Sequence, residues 1–167
     1  NNFDYVPIKY IQVNGTFSEH TNEAEAEMVL SIIDNNINRL PNGEYPTVGI
    51  ATFNIAQRNL IKSKILERQK FSKFEAFNAK IQELEEKGMF IKNLENIQGD
   101  ERDVIILSTT YGIGKDRKFA QRFGPINHSK GYKLLNVIIT RAKFKVYCCS
   151  SIPEQLFMNY KEYLTTE

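Results

Sequence analysis

The chain has 167 residues, of which 41% are hydrophobic and 25% are charged, and its formal net charge is +2. This length allows one domain with a full hydrophobic core, and the composition is typical of globular proteins and excludes a disordered or collagen-like chain. No run of about 18 apolar residues is present, which excludes a membrane-spanning helix. The small net charge neither requires nor excludes a nucleic-acid partner.

The beginning of the chain and its cysteines bear on its cellular context. The sequence begins Asn1-Asn2-Phe3, without an initiator methionine or a signal-peptide pattern, and we expect it to be a fragment of a longer protein. The two cysteines, Cys148 and Cys149, are adjacent in a predicted strand, where their side chains would point to opposite faces. We therefore expect them to fill the core rather than to form a disulfide or do redox chemistry, and we expect a cytoplasmic location.

Apolar residues at strand and helix spacing predict alternating elements along the first half of the chain. A strand is predicted over residues 8–13, and a helix follows the capping residues Thr21 and Asn22. The apolar face of that helix consists of Met28, Val29, Ile32, Ile33, Ile37 and Leu40. A strand over residues 47–53 precedes a second helix, which is capped by Asn54 and has Leu60, Ile61, Ile65 and Leu66 on its apolar face.

The second half continues the alternation and contains the most informative stretch. A charged helix over residues 71–87 ends at Gly88, and a strand over residues 89–94 follows. A polar turn over residues 96–102 then leads into a strand over residues 103–110, whose apolar run Val104–Leu107 is typical of a strand buried on both faces. The remaining predicted elements are a long loop over residues 111–131, a helix over residues 132–143, a strand over residues 144–150 and a helix over residues 153–164.

This order of elements predicts an α/β fold of three layers, with a mainly parallel sheet and helices on both faces. Ligands of such sheets bind at the carboxyl ends of the strands. Gly112-Ile113-Gly114-Lys115 resembles the end of a phosphate-binding loop, but Asp116 follows where that motif needs Ser or Thr. His20 and His128 are isolated and predict no metal site. We therefore expect no complete machinery for nucleotide hydrolysis within this chain.

Several stretches resemble the motifs of superfamily 1 helicases, in the branch of the nonsense-decay helicase. Residues 96–108, Asn-Ile-Gln-Gly-Asp-Glu-Arg-Asp-Val-Ile-Ile-Leu-Ser, resemble motif V, and Leu135-Asn-Val-Ile-Ile-Thr-Arg-Ala-Lys143 resembles motif VI. Further similarities in family order are Val48–Phe53 with Gln57–Leu60 (motif IV), Asn22–Glu27 and Phe123–Asn127. The resemblance implies the second RecA-like domain of such a helicase, whose first RecA-like domain would carry the phosphate-binding loop and the acidic pair.

For ATP, the resemblance implies a cleft between the two RecA-like domains. Arg141 corresponds to the arginine finger, whose planar and permanently charged fork suits the developing charge of a transferred phosphate. Glu101 corresponds to the motif V acid that accepts hydrogen bonds from the ribose, and Gly99 would let the backbone approach the nucleotide. Gln98 is similarly placed, and Arg58 of motif IV is a further candidate.

Each of these residues also has a structural interpretation. Arg141 could be a surface arginine at a helix C-terminus, where the helix dipole favours a cation. Glu101 could belong to a solvated turn, and Gln98 could hold that turn together. The spacing Asn54-x-x-Gln57 is itself a capping box, which gives Gln57 a structural explanation.

For nucleic acid, the resemblance implies a single strand that crosses both domains and touches the motif IV and motif V loops. Thr52, Asn93 and Asn96 are the candidate contacts, although Asn93 and Asn96 stand where much of the family has Thr and Ser. Amide side chains can still donate to phosphate oxygens. The long loop is basic, and it could touch a nucleic-acid backbone or simply be solvated; its cations are Lys115, Arg117, Lys118, Arg122 and Lys130.

The leading hypothesis is that residues 1–167 form the second motor domain of an ATP-dependent helicase that acts on single-stranded nucleic acid, with DNA favoured over RNA. ATP and Mg²⁺ would be held mainly by the first RecA-like domain, and this fragment alone would be inactive. One alternative is a catalytically degenerate RecA-like module for nucleic-acid docking or assembly. Another is a stand-alone doubly wound nucleotide-binding domain, which the missing glycine loop after the first strand disfavours.

Overall fold

A computed structural model describes residues 6–97, 99–116 and 138–152. In chain order, the described elements are β1 (Ile8–Gln12), β2 (Thr16–Ser18), β3 (Thr21–Asn22), α1 (Glu23–Asn36), β4 (Val48–Thr52), α2 (Ile55–Arg68), α3 (Glu75–Glu86), β5 (Phe90–Asn93), β6 (Arg102–Ser108), β7 (Ile113–Gly114) and β8 (Ala142–Ser150). Short 3-10 turns precede α3 at Ser72–Phe74 and follow β5 at Leu94–Asn96.

Five strands form one sheet in the order β1-β8-β6-β4-β5, and every neighbouring pair is parallel. The central strands are the most apolar because both of their faces are covered: all five residues of β4 and the last five of β6 are buried. A Cβ on Gly49 of β4 would lie 2.3 Å from the ring of Phe90, so this glycine gives the Phe90 ring its place on the sheet.

Helices α1, α2 and α3 pack on one face of the sheet. Asn22 caps α1 by accepting a hydrogen bond from the Glu25 amide, and Asn54 caps α2 by accepting one from the Gln57 amide. The helix α3 ends before Gly88, whose φ of +90° suits a glycine that follows a helix. The core on this face consists mainly of Val29, Ile33, Ile61, Ile81, Leu84, Ile50, Ile106 and Cys149.

A second core covers the opposite face of the sheet. It contains Phe53, Phe90, Leu94, Ile97, Ile105, Leu107, Ile138, Val146 and Cys148. The two cysteines thus lie on opposite faces, and burial raises the pKa of both thiols. Both faces of a parallel sheet are therefore covered, which confirms the predicted α/β class, and the prediction that the cysteines fill the core is confirmed as well.

Several predicted boundaries were wrong. The helix predicted to end at residue 143 gives way to β8 at Ala142, whose pairing with Arg102 of β6 is a long-range contact that the helical pattern of apolar residues does not indicate. Leu66, predicted on the apolar face of α2, is 60% exposed. A small sheet in the order β3-β2-β7 was not predicted, since strands of two or three residues leave no periodic signal. The helix predicted over residues 153–164 and most of the long loop lie outside the described residues.

Within the ranges that the structure describes, no helix is long and apolar enough to cross a membrane.

Candidate functional site

The candidate residues fall into two groups at opposite ends of the sheet. Gly99 and Glu101 directly precede β6, and Arg141 directly precedes β8, so these three lie at the amino edge. Thr52 and Asn93 end β4 and β5 at the carboxyl edge. Because β6 has seven residues, at about 3.3 Å each the two groups are separated by about 20 Å. The ATP candidates at the amino edge therefore lie opposite to the edge where ligands of parallel sheets usually bind.

The backbone brings the motif V turn and the motif VI arginine together. The Arg102 amide donates a hydrogen bond to the carbonyl of Arg141 at 3.0 Å, and the Arg102 and Ala142 Cα atoms are register partners. Glu101, next to Arg102, is exposed. Two stretches far apart in sequence thus present a carboxylate and a guanidinium from neighbouring strand ends.

Arg141 contains an unusual buried donor. Its Nε is buried and makes no hydrogen bond within the described part of the chain. A buried N–H without an acceptor is costly, and native proteins rarely retain one without a role. A water molecule or an anion at the amino edge could supply the missing acceptor.

Asp100 lies between the cations of the same edge. Its carboxylate accepts a hydrogen bond of 2.6 Å from Lys92 of β5, and this bond, with the nearby charges of Arg102 and Arg141, lowers the pKa of Asp100. The Lys92–Asp100 pair ties the turn to β5, although Lys92 and Asp100 are partly exposed. Asp100 therefore holds the turn, which leaves Glu101 as the carboxylate directed outward.

Gly99 adopts a φ of +87°, and a Cβ built on it would meet no atom within 4 Å. The glycine is therefore required by its backbone conformation and not by crowding within the domain. The open space beside it is compatible with the predicted close approach of a ligand.

At the carboxyl edge, the three nucleic-acid candidates differ in accessibility. Asn96 is exposed and donates a 2.6 Å hydrogen bond to the side-chain oxygen of Asn93, which is 7% exposed. Thr52 is fully buried, and its hydroxyl donates to the Asn54 carbonyl. Asn96 is therefore the candidate best placed to reach a nucleic-acid strand, and nucleic-acid contacts by Thr52 and Asn93 stay predictions.

The remaining candidates lie elsewhere. Arg58 donates from Nε to the Ile91 carbonyl along the free side of β5, so the structure does not bring it to the Arg141 group. Gln98 lies outside the described residues, and so do all the basic candidates of the long loop except Lys115. Among the residues that are described, no group of three or more His, Cys, Asp or Glu could hold a metal ion.

Gln57 was predicted to complete a capping box, and only half of that box forms. Its amide donates to Asn54, but its side chain spans to the first helix instead, where it accepts from the Asn22 amide and donates to the Asn22 carbonyl. Gln57 is fully buried. Its role in the structure is therefore to join α1 to α2.

Sequence reasoning missed a buried carboxylate at the carboxyl edge. Glu25, in the first turn of α1, is fully buried and accepts hydrogen bonds from Ser108, Thr110, Asn22 and Ser151. Burial raises the pKa of Glu25, and the hydrogen bonds partly oppose that shift. The spacing Asn22-x-x-Glu25 is a capping-box signal that could have located it.

This network holds a strained residue. Thr110 has a φ of +70°, which is rare for a β-branched side chain. Its amide donates to Glu25, and its carbonyl accepts from Asn22. The carboxyl ends of β6 and β8 are thereby fixed to the start of α1.

Comparisons with known proteins identify sequence relatives of this chain. The chain is 33% identical over 135 residues to an uncharacterized ATP-dependent helicase of Mycoplasma genitalium, and 34% identical over 136 residues to its homologue in Mycoplasma pneumoniae. Each match covers 80% of this chain and 11% of the relative, so the chain spans only a small part of these proteins.

A solved structure, the C-terminal domain of a possible DNA helicase from Lactobacillus plantarum WCFS1, matches with a TM-score of 0.47 and 15% identity, covering 92% of this chain and 79% of that one. A structural similarity at that level adds no support to a family assignment for this chain. Residues 6–152 match the family described as an AAA domain. The chain belongs to this family, the C-terminal RecA-like domain of superfamily 1 helicases in the branch of the nonsense-decay helicase.

Proposed function

We propose that this domain is the second motor domain of an ATP-dependent helicase, and that its amino edge completes an ATP site on a first RecA-like domain of the same protein. The observation that carries the proposal is the buried Nε of Arg141, which has no acceptor among the described residues. The permanent charge of this arginine suits an anion that arrives from outside the domain.

In this proposal, Arg141 acts as the arginine finger. Its backbone is fixed by the hydrogen bond between its carbonyl and the Arg102 amide, directly before the start of β8. Charge develops on the phosphate oxygens during phosphoryl transfer, and a planar cation at that point is worth about 10³- to 10⁵-fold in rate.

Glu101 and Gly99 would bind the rest of the nucleotide. Glu101 is exposed at the same edge and can accept hydrogen bonds from ribose hydroxyls, while the open space beside Gly99 lets a ligand approach the backbone. Mg²⁺ would be held by the first RecA-like domain. The carboxyl edge, with Asn96 exposed, would contact the single strand, and DNA is favoured over RNA.

Strand-stimulated ATP hydrolysis by the full-length protein tests this function. We expect turnover to rise when single-stranded DNA is added, because strand binding and cleft closure would be coupled through the two domains. RNA of the same length serves as the comparison strand. A full-length protein that binds strands but hydrolyses no ATP with either of them would favour the alternative, a degenerate docking module.

A further inference from the structure

We propose that Phe17, His20 and Tyr111 form a stacking site for the bases of single-stranded nucleic acid at the carboxyl edge. The inference rests on the proposed function, since it adds a base-binding subsite to the surface that would carry the strand. Its three side chains come from the β2–β3 hairpin and from the segment after β6.

The Phe17 ring contacts both of the other rings, and all three side chains keep some exposure. The Phe17 and Tyr111 ring centroids are 5.0 Å apart with their planes inclined by 36°, and the His20 ring meets the Phe17 ring edge-on at 6.3 Å. His20 is exposed, whereas Phe17 and Tyr111 are half-buried. A cluster of this kind is anchored on one side and offers ring surface to a flat ligand on the other.

The hairpin that presents His20 is strained. Glu19 and His20 have φ values of +53° and +66°, as in the two-residue turns where Asn-Gly is the usual pair. Glu disfavours this conformation, and such strain at an exposed turn points to a function. Asn54 holds the turn in place by donating from Nδ2 to the His20 carbonyl at 2.9 Å.

The position of the cluster favours nucleic acid over a protein partner. Asn54 follows β4 and Tyr111 follows β6, so the cluster lies at the same edge as Asn96. Gly114 of β7 pairs with Phe17, and the next residue, Lys115, is exposed. An aromatic surface beside a cation is the combination that binds a base together with its phosphate.

Binding of the full-length protein to two labelled strands, measured by fluorescence anisotropy, tests the proposal. One strand is oligothymidylate and the other is an abasic strand of the same length. We expect Tyr111→Leu, which keeps an apolar side chain but removes the ring, to weaken binding to oligothymidylate by about 5- to 150-fold, since that is the usual range for one stacked base. Binding to the abasic strand should not change.

Two further variants separate stacking from folding. His20→Asn should weaken binding to oligothymidylate in the same selective way, because Asn tolerates the left-handed conformation and keeps the turn. Phe71→Leu, at an aromatic residue that is 49% exposed and not part of the cluster, should bind both strands as the wild type does.

The outcomes are distinguishable. Equal losses on both strands, or no loss for Tyr111→Leu, would overturn the stacking site, and the second result would leave the cluster as a contact for a protein partner. A wild-type protein that binds neither strand would overturn the proposed function and the stacking site together.

Discussion

Replacing Glu25 with Ala tests whether the buried network at the carboxyl edge stabilises the fold. Glu25 accepts hydrogen bonds from four donors, at distances between 2.8 and 3.0 Å. Each buried donor left without an acceptor costs about 1–3 kcal/mol. The loss is offset by several kcal/mol because the variant no longer buries a carboxylate. We expect a net decrease in the free energy of unfolding of about 2–4 kcal/mol.

Urea denaturation followed by circular dichroism measures this difference, with Glu23→Ala as the matched control. Glu23 lies two residues away in the same helical turn, but its side chain is 71% exposed and forms an ion pair with Lys64 at the surface of α1. An exposed pair contributes about 0–1 kcal/mol. A loss for Glu25→Ala of under about 1 kcal/mol, no larger than that of the control, would refute the account of the network as a stabilising element.

Three further results follow from the same geometry. Burial raises the pKa of Glu25 above its ordinary 4.5, so the folded state binds this proton at a higher pH than the unfolded state does. The difference in unfolding free energy between wild type and Glu25→Ala should therefore widen as pH falls through the raised pKa and level off below about 4.5. Equilibrium unfolding at a series of pH values checks this. Gly99→Ala and Gly43→Ala should each lower the free energy of unfolding by about 1–2 kcal/mol, because their φ values are +87° and +86° with open space around both. Only Gly99→Ala should lower ATP turnover of the full-length protein. A double-mutant cycle with Lys92→Met and Asp100→Asn should give a coupling in unfolding free energy of about 0.2–1 kcal/mol, which weakens as the salt concentration is raised. A coupling of zero would contradict the inferred link between β5 and the turn.

The sequence allowed the central sheet to be predicted because its strands are fully buried. An unbroken β-branched run such as Val104–Leu107 has few alternatives to a strand covered on both faces. The pairing of Arg102 with Ala142 was not predictable from periodicity, since it joins residues far apart in sequence. The motif resemblance, and not the pattern of apolar residues, suggested that Glu101 and Arg141 belong to one site.

The partners of polar side chains were the least predictable feature. The surroundings of Glu25 depend on where the ends of β6 and β8 come together, and a position in the first turn of a helix gives no reason for its burial. Gln57 likewise satisfied a local pattern in sequence, while the fold offered it a buried partner on α1 instead. Local rules identified where these helices begin, but tertiary contacts decided what their first-turn side chains bind.

The role of Arg141 at the ATP site is tested by the turnover number of the full-length Arg141→Ala protein at saturating ATP and single-stranded DNA. The control is Arg39→Ala, since Arg39 is a half-exposed cation that pairs with Glu83 on the helical face. We expect a fall of at least two decades for Arg141→Ala with ATP binding largely retained, and no fall for Arg39→Ala. Unchanged turnover in Arg141→Ala would contradict the assignment of this arginine to the ATP site.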